Sequence, residues 1–119
     1  MSYVDGFVVP VPKKNLGAYR KMSKAIGKIF RSHGASEFRE CVADDVTWGK
    51  RTSFPRSVKM KKNETVVFAY ITYKSRSHRD QVSAKVMKDK RTAKMMNPKA
   101  MPFDAKRMIF GGFKTIIDV

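Results

Sequence analysis

The pattern of apolar and polar positions predicts a strand followed by a helix at the start of the chain. Tyr3 to Val11 is rich in β-branched and aromatic residues, and Pro10 and Pro12 predict that this strand ends at an edge or a turn. From about Lys13, apolar residues recur every three or four positions until Gly34, which is typical of an amphipathic helix that glycine ends. The apolar positions of this helix are Leu16, Tyr19, Met22, Ile26, Ile29 and Phe30.

The middle of the chain predicts two further main strands. Ala35 to Val46 is interpreted as the second strand, and Phe54 to Lys59 as a short strand that Pro55 restricts to an edge. Glu64 to Tyr73 has the strongest strand pattern in the chain, and both of its faces are largely apolar. Such a strand needs cover on both faces.

The last third predicts a second helix, a connector and a final strand. Ser77 and Asp80 have the spacing of a capping box, which predicts the start of the helix. A connector rich in methionine and lysine follows from Arg91 to Met101 and contains Pro98. Arg107 to Ile117 is the predicted last strand, which closes the sheet.

The predicted order is strand, helix, strand, strand, helix, strand. With right-handed crossovers, this order places both helices on one side of an antiparallel four-stranded sheet. We therefore expect an α+β, ferredoxin-like βαββαβ fold, and the 119 residues fit a single domain from residue 1 to 119. Because the third strand is apolar on both faces, we expect two subunits to pack sheet to sheet as a homodimer.

Charge adds a hypothesis about partners. The chain has 26 Lys and Arg against 10 Asp and Glu, a net charge of +16, which attracts nucleic acids and other anions without choosing among them. The first helix has no acidic residue, and its basic side chains share an arc opposite the apolar arc. This basic face, which is either a solvated surface or an anion-binding one, consists of Arg20, Lys21, Lys24, Lys28 and Arg31.

The single cysteine, Cys41, excludes an intramolecular disulfide and a metal site built from several cysteines. His33 and His78 fall at predicted helix ends, without ligand-like companions, so we predict no metal site and no cofactor. No signal-peptide pattern is found, and no apolar stretch approaches the roughly 20 residues needed to span a bilayer. We therefore expect a cytoplasmic protein that has no membrane partner.

Three residues near the second strand are candidates for catalysis. Cys41 would need a neighbouring cation or histidine to be a nucleophile, and the alternative is a buried structural thiol. Asp44 and Asp45 could supply a general base, or they could form a turn at the strand end.

The stretch before the last strand holds the remaining candidates. Asp104 is a further candidate catalytic residue, and Lys106 and Arg107 are candidates for binding an anionic ligand together with Gly111 and Gly112. The alternative is an ion-paired loop followed by a β-bulge at the glycine pair.

An RNA-binding function is an alternative from a different class. The RRM fold uses the same element order, and Phe68 to Tyr73 satisfies the later, aromatic part of its third-strand signature. Phe7 could supply the companion aromatic residue of the first strand. The basic-glycine start of the signature is missing, because Val66 and Val67 stand there.

Several segments together carry a family resemblance: Tyr3-Val4-Asp5-Gly6-Phe7, Glu40-Cys41, Ala43-Asp44-Asp45, Glu64-Thr65-Val66-Val67-Phe68, Met101-Pro102-Phe103-Asp104, Lys106-Arg107-Met108 and Gly111-Gly112-Phe113. Over essentially its whole length, the chain resembles the YbaA-like family, small bacterial proteins of unknown function in the dimeric α-β barrel superfamily. The resemblance implies that fold and a homodimer, and it supplies no agreed activity.

Enzymes of that superfamily, including cofactor-independent monooxygenases and haem-degrading enzymes, use the cavity between sheet and helices. Haem would require a histidine placed as an axial ligand. We therefore expect a homodimer of unknown function that binds a small molecule in this cavity or has a minor oxidoreductase-type activity, with nucleic-acid binding as the alternative. The segment from Met101 to Met108 is the first place to look for a site.

Overall fold

The computed structural model describes residues 2–97 and 101–119. Its strands and helices are β1 (Tyr3–Pro12), α1 (Leu16–Ser32), β2 (Glu37–Val42), α2 (Phe54–Ser57), β3 (Glu64–Tyr73), α3 (Arg76–Lys88), α4 (Lys90–Met95) and β4 (Ile109–Lys114). Short 3-10 turns precede α1 at Lys13–Asn15 and β4 at Ala105–Arg107. The prediction of an α+β structure is confirmed.

The sheet has the strand order β2-β3-β1-β4, and all neighbouring strands are antiparallel. β1 is therefore a central strand, and Pro10 lies within it, opposite Val66. Pro12 ends the strand before the 3-10 turn, as the sequence predicts. Both prolines are tolerated because they lie beyond Val8, where β1 no longer pairs with β4 and has a free edge.

Alternate residues of the central strands turn toward α1 and α3, and we call this side of the sheet the helix face. One buried cluster joins Ile29 of α1, Ile71 and Tyr73 of β3, and Val82 and Val86 of α3. A second cluster joins Val9, Val11, Tyr19, Val67 and Ala69. The two long helices thus cover one side of the sheet, and the core lies between the two layers.

The opposite side, which we call the outer face, is only partly covered. Val58, which follows α2, packs there against Val8 and Val66. Phe68 of β3 keeps 45% of its surface exposed, and Phe113 of β4 keeps 64%. The apolar outer positions of β3 and β4 are thus open to contact with another molecule.

The prediction of a short strand from Phe54 to Lys59 is wrong, because Phe54–Ser57 forms the helix α2. The Ser53 side chain accepts a hydrogen bond from the Arg56 amide at 3.1 Å, and Pro55 occupies the first helical turn. A serine cap followed by proline favours a helix start over a strand.

The predicted boundaries around α3 and α4 also need correction. Ser75, and not Ser77, caps α3, because its hydroxyl accepts a hydrogen bond from the His78 amide at 3.0 Å. The predicted connector contains the helix α4, which the Asp89 side chain caps. Pro98, which was predicted to lie in this connector, is outside the described residues.

The predicted bulge at the glycine pair is absent. Gly111 lies opposite Gly6, and Gly112 lies opposite Asp5, in an unbroken register between β1 and β4. A Cβ atom on Gly112 would lie 2.8 Å from the ring of Tyr3. Glycine is needed at this position because the tyrosine of the neighbouring strand lies directly over it.

In the part of the chain that the structure describes, no helix is both long enough and apolar enough to cross a membrane. The cytoplasmic location remains a prediction from the sequence.

Candidate functional site

A cavity of about 220 Å³ lies between the helix face of the sheet and the helices α1, α3 and α4. Its wall is almost entirely apolar. The wall includes the methionines Met22, Met87, Met96, Met101 and Met108 and the phenylalanines Phe7, Phe30, Phe38 and Phe103. Methionine side chains adapt their shape and make favourable contacts with aromatic rings, so this wall suits a molecule that contains a ring.

Close packing places two of these aromatic rings. A Cβ atom on Gly27 would lie 2.7 Å from the Phe38 ring, so glycine at this position in α1 lets β2 bring Phe38 against the helix. Phe103 packs edge-on against Tyr19, and the ring centroids are 5.5 Å apart. The segment before β4 therefore forms part of the cavity wall.

A carboxylate cluster of Tyr19, Ser23 and Glu40 is the main polar feature of this wall. The Tyr19 hydroxyl donates a hydrogen bond to Glu40 Oε1 at 2.7 Å, and the Ser23 hydroxyl donates to Glu40 Oε2 at 2.6 Å. Tyr19 and Ser23 are buried, with 4% and 7% of their surfaces exposed. Each oxygen of Glu40 keeps a lone pair that can accept another hydrogen bond.

Burial, reinforced by the charge of Glu40, raises the pKa of Tyr19. The tyrosine therefore stays protonated over the whole physiological range and remains a hydrogen-bond donor. The cluster consequently presents its negative charge and its acceptor capacity through Glu40.

The carboxylate cluster also lines an open groove between α1 and β2, together with Arg20, Lys21 and Lys24 of the basic face. The cluster thus stands between an apolar cavity and a basic groove. Arg31, another residue of the basic face, donates hydrogen bonds to the carbonyls of Ala35 and Ser36 and so helps to end α1. Lys28 is exposed on the same helix.

The catalytic candidates near β2 lie outside the cavity wall. Cys41 is exposed and pairs with Phe68 of β3, so its interpretation as a buried thiol is wrong. Asp44 and Asp45 follow β2 in an exposed bend, since the strand ends at Val42 and not at Val46. Within residues 2–97 and 101–119, no group of three His, Cys, Asp or Glu side chains could hold a metal ion.

The RRM-like arrangement of aromatic residues is not formed. Phe7 pairs with Ala69 on the helix face, where it stacks on Phe110 with 6.1 Å between ring centroids. Phe68 lies on the outer face, where it packs against Phe54. The two aromatic residues therefore cannot form one base-stacking surface, as an RRM requires.

Arg107 is held in a buried ion pair. Its two terminal nitrogens donate to the carboxylate of Glu64 at 2.8 and 2.6 Å, and its Nε donates to Asp104 at 3.0 Å. One terminal nitrogen also donates to the Lys59 carbonyl at 3.0 Å. Only 16% of the Arg107 side chain and 4% of the Glu64 side chain are exposed. Arg107 therefore fastens the segment before β4 to the loop that precedes β3.

This arrangement fits the ion-paired interpretation of Asp104 and Arg107 better than a site for an anionic ligand. Lys106 is exposed at the same turn, and Gly111 and Gly112 lie within β4. The residues of the segment from Met101 to Met108 that line the cavity are the apolar ones, Met101, Phe103 and Met108. Repeated methionines in a lysine-rich stretch were the available sequence signal for this role.

Comparison with known proteins identifies the family. Residues 2–105 match the family described as "Protein of unknown function (DUF1428)". The chain belongs to the DUF1428 family. This family member is 48% identical over 118 residues to the uncharacterized protein YbaA of Escherichia coli K12 and, equally, to that of Shigella flexneri, with 99% of both chains covered. The resemblance noted from the sequence is confirmed.

Solved structures show the same type of fold. An uncharacterized NIPSNAP domain protein from Burkholderia xenovorans superposes with a TM-score of 0.62 at 15% identity, and 95% of this chain and 93% of that chain are covered. A nipsnap family protein with unknown function from Agrobacterium tumefaciens has a TM-score of 0.57 at 15% identity, covering 96% and 87% of the two chains. At this identity the likeness shows the fold alone.

The Arg107–Glu64 pair leads to a prediction about stability. Replacing Arg107→Met removes the cation and leaves a buried carboxylate, so we expect unfolding free energy to fall by about 3 kcal/mol at pH 7. The hydrogen bonds from Arg107 hold the pKa of Glu64 below its ordinary value of 4.5. The wild-type pair therefore contributes its full stabilisation above pH 4.5. This contribution is lost as the pH falls through the lower pKa that Glu64 has in the folded protein.

In Arg107→Met, burial of the unpaired carboxylate should raise the pKa of Glu64 above its ordinary value of 4.5. Protonation then relieves the carboxylate, so the stability difference from wild type should begin to shrink as the pH falls toward 4.5 and should shrink further below it. Urea denaturation of both proteins at several pH values measures this difference in unfolding free energy. Asp104→Asn, which removes the exposed partner of the same arginine, is the matched control and should change stability little. Equal stability of Arg107→Met and wild type at pH 7 would refute the structural role of the pair.

Proposed function

We propose that this DUF1428 protein binds a small, largely apolar molecule that contains a ring, in the cavity between its sheet and helices. The observation that carries the proposal is an apolar cavity with one constructed polar cluster, Tyr19, Ser23 and Glu40, in its wall. Small-molecule sites typically combine apolar walls with a few convergent polar groups that orient the ligand.

The volume of the cavity supports a ligand of ring size. An apolar cavity of about 150 Å³ admits benzene. The cavity between the sheet and helices measures about 220 Å³, which leaves room for a larger ring system. Glu40 would accept a hydrogen bond from a donor on the ligand.

The proposal is one of binding, and it assigns no reaction. The catalytic candidates Cys41, Asp44, Asp45 and Asp104 are not among the residues of the cavity wall. No relative or structural neighbour named above is described as a nucleic-acid-binding protein, so the nucleic-acid alternative gains no support.

The proposal includes an assembly. The strand order β2-β3-β1-β4, with α1 and α3 on one face, supports a ferredoxin-like subunit. We propose that two subunits pack outer face to outer face as a dimeric α-β barrel. The exposed apolar side chains Phe68, Ile109 and Phe113 support this arrangement, because contiguous exposed apolar residues mark interaction surfaces.

Filling part of the cavity should weaken ligand binding. Ala69 is 5% exposed and lines the cavity, so Ala69→Leu would fill part of the space with an apolar side chain. We expect wild type to bind 2-naphthol, and Ala69→Leu to lose at least about tenfold in affinity because its side chain occupies ligand volume. Isothermal titration calorimetry measures the affinity.

Ala84→Leu makes the same substitution at an exposed position of α3 outside the cavity wall, and its affinity should equal that of wild type. Thermal unfolding confirms that both variants are folded. The proposal fails if wild type does not bind 2-naphthol, or if Ala69→Leu binds it as tightly as Ala84→Leu does.

The dimer should depend on the outer face. Light scattering should give wild type a mass twice the 13.6 kDa of one chain. Phe113→Asp places a charge on the outer face and should give a monomer, because a charge in an apolar interface stays unpaired. Phe110→Asp is the matched control, since Phe110 is exposed in the same strand but on the helix face, and it should leave the dimer intact. A monomeric wild type would contradict the assembly.

A further inference from the structure

One side of α1 changes from apolar to polar around the helix axis. Met22 and Ile26, which lie one turn apart, line the apolar cavity. Tyr19 and Ser23, also one turn apart, lie next around the helix, and their hydroxyls donate to the two oxygens of Glu40. The Glu40 carboxylate is therefore held at the boundary of the cavity.

Cations come next around the same helix. Arg20 and Lys24 directly follow Tyr19 and Ser23 in the sequence, so their side chains lie about 100° further around α1. Together with Lys21, they line the open groove between α1 and β2, which we call the basic groove. From the cavity to the basic groove, the surface is thus apolar, then anionic, then cationic.

These charges are available to a ligand. Among residues 2–97 and 101–119, Glu40 forms no ion pair, and neither do the cations Arg20, Lys21 and Lys24 that line the groove beside it. All four residues are exposed, so a molecule that enters the groove can reach them. Glu64, by contrast, is buried and already neutralised by Arg107.

We infer that the ligand is an aromatic α-amino acid. This inference rests on the proposed function and names its ligand class. The ring of the amino acid occupies the apolar cavity, and its ammonium group donates hydrogen bonds to Glu40. Its carboxylate lies in the basic groove, beside Arg20 and Lys24.

The order of groups in such a ligand matches the order of side chains on α1. The ammonium and carboxylate groups share one carbon atom, which a single methylene joins to the ring. Each oxygen of Glu40 keeps a lone pair after it accepts from Tyr19 or Ser23, and this lone pair can accept a charge-assisted hydrogen bond. A purely anionic ligand would be repelled by Glu40, and a purely cationic one by the basic groove. A zwitterion matches both charges.

The test compares three indole probes by isothermal titration calorimetry at pH 7. L-tryptophan carries both charged groups, tryptamine lacks the carboxylate, and indole-3-propionate lacks the ammonium group. Wild type should bind L-tryptophan at least about fivefold more tightly than either analogue, because each analogue leaves one charge of the site without a partner.

Two substitutions should reduce these preferences separately. Glu40→Gln removes the negative charge and should lower the preference for L-tryptophan over indole-3-propionate by at least about threefold. Lys24→Gln removes one cation and should lower the preference over tryptamine by at least about twofold. Glu37→Gln in β2 and Lys28→Gln in α1 are the matched controls, since both residues are exposed and line neither the cavity nor the groove. They should keep both preferences.

Further measurements place the ring and separate the possible failures. Ala69→Leu should weaken L-tryptophan binding as it weakens 2-naphthol binding, since both rings occupy the cavity. Thermal unfolding confirms that each variant is folded. The inference is overturned, and the proposed cavity remains, if wild type binds 2-naphthol without preferring L-tryptophan to its analogues. The same holds if Glu37→Gln and Lys28→Gln lose the preferences as fully as Glu40→Gln and Lys24→Gln do. If wild type binds neither L-tryptophan nor 2-naphthol, the inference and the proposed function fail together.

Discussion

The structure depends on burying both faces of β3. This strand lies inside the sheet, and its residues alternate between a helix face and an outer face that are both rich in apolar side chains. One helical layer can bury only one of these faces. The helix face is filled by α1 and α3 except for the cavity, whereas the outer face is only partly covered by the residues around α2. The same constraint thus produces the proposed ligand site and the proposed dimer surface.

Two polar clusters fix the segments that surround the cavity. The buried pair of Arg107 and Glu64 fastens the segment before β4, which contributes Met101, Phe103 and Met108 to the wall. The Asp89 carboxylate, bound by His33 and Arg91, fastens α4, which contributes Thr92 to the wall and is followed by Met96. Several ionic groups of this strongly basic chain therefore position an apolar site without lining it.

The sequence predicted those helices and strands in which the pattern of apolar residues extends over many positions. α1 repeats its apolar positions over several turns, and β3 has an unbroken run of strand-forming residues, so both were located closely. α2 and α4 were missed because helices of one or two turns have too few residues to show a period. Their local signals were a capping serine followed by Pro55 and a capping aspartate, and such residues also occur in turns.

The candidate site was harder to predict than the fold. Glu40, Thr92 and Phe103 meet at the cavity from three separate parts of the chain, and nothing in their local sequence marks them as neighbours. Arg107 and the glycine pair were prominent in sequence, yet their partners explain them as structural. Glu64 neutralises the arginine, and Tyr3 occupies the space that a side chain at Gly112 would need.

The central claim is that the cavity between sheet and helices receives a ligand. Carbon-13 NMR of protein labelled at its methionine methyl groups tests it directly, because the wall contains Met22, Met87, Met96, Met101 and Met108. On addition of 2-naphthol, the resonances of these five methionines should shift. Met60, which packs beneath the outer face, should not respond. A shift confined to Met60, or no shift at saturating ligand, would show that the ligand does not enter this cavity.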